Sequence, residues 1–138
     1  MQKATARWTG SKVKFEIHSA SGHQAVVDEP PLFGDDEGMK PTELLLGALG
    51  ACTGINVVLL LKKFKQPYKS LDVEVEGDQM KEWPHAFTDI RINFKIGWDG
   101  DHDKKFVANV LDQAVNKYCP VDATLVNGTK VEYKKTDA

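Results

Sequence analysis

Cysteine is scarce in this sequence: two in 138 residues, Cys52 and Cys119. Two cysteines make no disulfide framework, which argues against a small cross-linked secreted scaffold. A dominant charge is lacking too. Eighteen Lys and Arg against twenty Asp and Glu leave a net charge of −2, so neither nucleic acid nor an anionic membrane surface is an expected partner. His18, His23, His85 and His102 are dispersed, with no CxxC or HxxxH spacing; no metal site and no cofactor are expected. A nucleophile-elbow motif is missing as well. The opening MQKATARW has no apolar segment of the kind a secretory signal needs. The expectation is a cytoplasmic protein with reduced thiols. Repeats and low-complexity tracts are absent, and the length suits one domain over residues 1–138.

What the sequence does have is one long apolar run. LLLGALGACTGINVVLLL, residues 44–61, carries no charge over eighteen positions and holds Cys52. As a helix it rises about 27 Å, just enough for a thin bilayer. Thr53 and Asn56 at its centre and its three glycines count against a membrane span. The rest of the chain reads as sheet and amphipathic helix that need this segment as their core. A helix buried in protein is therefore expected, starting near Pro41 or Thr42 and ending near Phe64. Thr42 is suited to capping, Glu43 to the helix dipole at the start, and Lys62, Lys63 and Lys65 to the dipole at the end. A helix apolar on every face needs more cover than this chain supplies, so a homodimer is expected.

Around that helix the pattern is mostly β. Residues 3–9, 12–18 and 23–28 alternate, with Val13, Phe15 and Ile17 on one face and a turn at SASG, 19–22. DEPPLFGDDEGMKP is a loop whose Leu32, Phe33 and Met39 are surface residues or a cover for something apolar. Longer strands are expected at about 70–80 and 86–97. An amphipathic helix follows at about 102–118, with Phe106, Val107, Val110, Leu111, Ala114 and Val115 on its stripe. Pro120 breaks it, and GTKVEYKK reads as a last strand. The class is α+β, with two helices against antiparallel sheet.

Cys52 shares a helical face with Leu49, Ile55, Asn56 and Leu59. Alone it reads as a small buried hydrophobe or, in a polar or cationic setting, as a reactive thiol. Cys119 stands where one helix ends before Pro120. If PVDATL begins another turn, the thiol sits at a helix N-terminus, which favours its thiolate.

Two motifs taken together, KPTELLLGALGACTGINVVLLLKK and KYCPVDATL, supported by WPHAFTDIRINFKIGW and ATARWTG, resemble the OsmC/Ohr family, and in particular its OsmC-like (YhfA-like) branch. The resemblance covers nearly the whole chain. It implies an intertwined homodimer built on a long buried central helix. It also implies a thiol peroxidase for organic or fatty-acyl hydroperoxides, recycled by a dithiol reductant such as a lipoyl protein. Cys52 matches the peroxidatic cysteine and Cys119 the resolving one. The family's activating Arg and Glu map onto Arg7, with Lys12 as a substitute, and onto Glu43. The family glutamate usually lies ten residues before the cysteine, where this chain has Thr42; Glu43 lies nine before. Nine residues turn a helix by about 900°, so Glu43 points away from Cys52, about 13.5 Å along the axis. It acts on Cys52 only from a partner subunit or indirectly, or else serves the helix dipole. Asp122 stands where the family commonly has Ser, adding negative charge near Cys119. The alternative reading is an apolar small-molecule binder on the same fold.

Overall fold

Alternation in the first third of the chain produces a three-stranded antiparallel sheet. In the computed structural model, which describes residues 1–138, β1 (Ala4–Trp8), β2 (Phe15–Ser19) and β3 (Gln24–Val27) lie in that order. Val13 falls outside β2: Lys12 has a left-handed φ of 48°, which turns the chain before Phe15. The acidic loop after β3 is organised by one carboxylate. Asp28 is buried and accepts hydrogen bonds from the backbone amides of Glu29 (2.8 Å), Glu37 (3.1 Å) and Asp35 (3.2 Å). Burial raises its pKa, but those amides and the Lys14 charge outweigh it and hold the carboxyl below its ordinary value. Lys12 pairs with Asp35, and Lys14 with Glu37 at 3.0 Å, tying the loop to the β1–β2 hairpin. Leu32 and Phe33 stand exposed at its tip.

These elements, through Leu46, form one compact unit; Gly47–Ala138 form a second. Helix α1 (Pro41–Lys63) begins in the first and continues through the second. Proline opens it, as expected of a residue that lacks the N–H a first turn cannot use. Thr42 lies inside the first turn. The capping contact comes from Glu43, whose Oε1 accepts the Lys40 backbone N–H at 3.0 Å, the return half of a capping box.

In the second unit, β4 (Tyr68–Gln79) and β5 (Phe87–Trp98) form a long antiparallel pair. Its inner face joins Leu71 to Ile96, Val73 to Phe94 and Val75 to Ile92; the outer face joins Asp72 to Lys95 and Glu76 to Arg91. Helix α2 (Lys104–Asn116) starts at Asp103, whose Oδ1 accepts the Phe106 N–H. The core gathers Val57 and Leu61 of α1 with Val107, Val110 and Ala114 of α2, backed by Leu71, Phe94 and Ile96. Each fully buried Val or Leu stabilises by about 1.5–3 kcal/mol. The small-residue stripe of α1 that meets the sheet is Gly50 and Gly54. A Cβ at Gly50 would stand 3.0 Å from Val75 Cγ2, and one at Gly54 3.2 Å from Val73 Cγ2, whereas one at Gly47 would meet nothing within 4 Å. Asn56 Nδ2 donates to the Ala114 carbonyl at 3.1 Å and locks α1 to α2.

Two sequence expectations are modified. Helix α1 has the length and composition of a membrane span, but the face through Leu49, Thr53, Val57 and Leu61 is buried while Ala48, Ala51, Ile55 and Leu59 are exposed within the single chain. GTKVEYKK forms no strand: residues 129–138 carry no regular structure, and Val131 and Tyr133 face solvent. Alternation alone does not make a strand; a backbone edge must be there to accept it.

Candidate thiol site

The chain break at Pro120 starts a new helix. Helix α3 (Pro120–Asn127) carries proline in its first turn and Cys119 as its N-cap residue, with φ −92° and ψ 107°. The Asp122 backbone N–H donates to Cys119 Sγ at 3.3 Å. Cys119 is buried, 3% exposed, and both cysteines are free. Cys52, midway along α1, is half-buried.

The fold of the second unit brings these two thiols together. Burial pushes the Cys119 thiol above its ordinary pKa, the neighbouring Cys52 side chain pushes it further by hydrogen bonding and charge, and the α3 amides of Asp122 and Val121 pull the other way. The helix N-terminus expected at Cys119 is there, but desolvation outweighs it. The pair therefore has unequal members, one accessible and one buried and hard to ionise.

The other candidate residues have separate engagements. Glu43 forms the capping bond to Lys40. Arg7 stands exposed on β1, opposite Glu16 of β2. Lys12 is paired with Asp35. Arg91, the chain's second arginine, is equally committed: it lies on the outer face of β5, clamped by Glu76 and Asp78, each at 2.9 Å, and by Asp89, and those carboxylates hold its pKa well above the ordinary value.

Sequence reasoning did not anticipate the groove beside the thiols. An open cavity of about 540 Å³ lies among β5, α2 and α3. Leu49, one helical turn before Cys52, lines it, as does Asp122, whose amide holds Cys119. Ile90 and Ile92 of β5 and Leu125 and Val126 of α3 supply apolar wall. Nor was Asn56 assigned its part in docking α1 on α2, although an amide in a charge-free apolar run was a readable signal, because a buried amide must find a partner.

Comparison with known proteins places the arrangement. Residues 34–134 match the family model described as OsmC-like protein. Protein YhfA of Escherichia coli K12 is 30% identical over 131 residues, covering 95% of this chain and 94% of YhfA. The crystal structure of an OsmC-like protein from Mycoplasma pneumoniae aligns with a TM-score of 0.78 at 18% identity, covering 93% of this chain and 89% of that one. An organic hydroperoxide resistance protein from Elizabethkingia anophelis aligns with a TM-score of 0.63 at 18% identity, covering 90% of this chain and 87% of that one.

Proposed function

Because this chain belongs to the OsmC-like family, we propose that it is a cysteine-based peroxidase that reduces organic hydroperoxides. The observation that carries the reading is the pair of adjacent free thiols with unequal access. The likeness in fold to an organic hydroperoxide resistance protein supports it.

In this mechanism the accessible Cys52 attacks as thiolate. Its sulfur bonds to the terminal oxygen of ROOH, the O–O bond breaks, and the alkoxide leaves and is protonated to ROH. Cys52 becomes a sulfenic acid, oxidised by two electrons. The Cys119 sulfur then attacks the Cys52 sulfur, the S–S bond forms, and hydroxide leaves as water. A dithiol reductant restores both thiols by exchange and departs as its own disulfide. The net reaction is ROOH plus dithiol giving ROH, water and disulfide. Burial of Cys119 suits the second step, since a protected thiol is spared direct oxidation while it waits for its neighbour.

The exposed stripe Ala48, Ala51, Ile55 and Leu59 supports assembly as a homodimer through α1. A partner laid on that stripe would flank Cys52 and is the natural source of an activating cation.

Counting free thiols tests the reading. One equivalent of cumene hydroperoxide should consume two thiols per chain and leave one Cys52–Cys119 disulfide by peptide mass. Cys52→Ser should abolish turnover. No rapid thiol loss, or turnover by Cys52→Ser, overturns the proposal. One observation favours the small-molecule binder as a second reading: Glu43 and Lys12 are already engaged by Lys40 and Asp35. That reading predicts ligand binding in the groove with both thiols intact.

A further inference from the structure

The groove beside the thiols carries information about which hydroperoxides reach them. Its lining residues include three aspartates, Asp89, Asp112 and Asp122, and no Lys, Arg or His. Asp89 is neutralised by Arg91 on the outer face of the sheet. Asp112 accepts a hydrogen bond from the Asn116 amide at 2.8 Å, which orients it without cancelling its charge. Asp122 forms no ion pair, and Lys117, next in sequence to the groove's Asn116, lies over the Tyr118 ring at 5.2 Å. Two negative charges without an ion-pair partner thus border an open trough of about 540 Å³ with mixed polar and apolar walls, a size that holds a single medium-sized organic molecule.

We propose that this groove receives the organic portion of the substrate, accepts neutral or cationic apolar groups, and rejects those ending in a carboxylate. The inference rests on the peroxidase reading and narrows its substrate class. Fatty-acyl hydroperoxides enter as esters or amides, not as free acids. The physics is like-charge repulsion in an open trough, strongest at low salt. There a carboxylate meets two like charges and no cation among the lining residues, whereas an ester meets no repulsion and an ammonium gains a partner.

The test compares matched substrates. Linoleic acid hydroperoxide and its methyl ester differ by one charge and are offered at equal concentration, below their aggregation limits, with dithiothreitol as reductant. We expect kcat/KM for the ester to exceed that for the acid about tenfold, the preference shrinking as salt is raised. Asp112→Asn keeps the acceptor for Asn116, removes one charge, and should narrow the ratio. Equal rates for acid and ester, or a ratio unmoved by Asp112→Asn, overturn the proposal. If neither substrate is reduced, the peroxidase reading fails, and the groove is then judged by binding alone. Decyltrimethylammonium should shift the amide resonances of Ile90, Ile92, Leu125 and Val126 at lower concentration than decanoate; equal binding, or tighter binding of decanoate, overturns the charge selection.

Discussion

Cys119 has two tasks that pull against each other. As N-cap it holds the Asp122 amide, and as a buried thiol beside Cys52 it resists ionisation. Under the peroxidase proposal, closure of the disulfide needs its thiolate, so the resolving step should quicken about tenfold per pH unit and level off only above the ordinary thiol range near 8.5. Rapid-quench mass spectrometry, following the Cys52 sulfenic acid from pH 6 to 10, checks this; a closure rate independent of pH would show that Cys119 is already ionised. Cys119→Ser separates the two tasks, because a serine hydroxyl also caps a helix well. That variant should fold normally, complete one turnover, and leave Cys52 as sulfenic acid open to over-oxidation.

Among the elements, α1 shows how far a sequence can be read. Its extent, its opening proline and its basic last turn were legible, because each follows from local chemistry. Which face would remain uncovered was not, since an all-apolar helix has no polar side to mark it; exposure of Ile55 and Leu59 depends on what packs elsewhere. The order of the two cysteine motifs was legible, and the resemblance they carry implied that the thiols pair, but the groove of β5, α2 and α3 is a product of tertiary packing. Glu43 tests the boundary between local and tertiary roles. Its bond to the Lys40 amide makes it a capping residue in this chain, so Glu43→Ala should cost about 1 kcal/mol in the urea midpoint analysis. The pH profile of Cys52 alkylation should not move. A displaced profile would return Glu43 to the role of cation holder across subunits.

For the whole molecule, the uncovered stripe of α1 is the feature with the widest reach. Ile55 and Leu59 are 61% and 60% exposed, one turn apart on the helix that carries Cys52. Under the dimer proposal, Leu59→Asp should bring the solution mass to that of a single chain while changing monomer stability by no more than about 0.5 kcal/mol; light scattering after gel filtration reads the first and urea unfolding the second. A wild-type chain of single-chain mass at micromolar concentration would defeat the proposal. The stripe also has a kinetic consequence. Ala51 adjoins Cys52 in sequence and Ile55 follows it by three residues, so whatever covers the stripe completes the surroundings of the Cys52 sulfur. If the cover is a second copy and the peroxidase proposal holds, mass action governs catalysis: turnover per chain is not a constant but climbs with protein concentration and reaches half its limit when half the chains are paired. Dilution would then silence the enzyme without unfolding it.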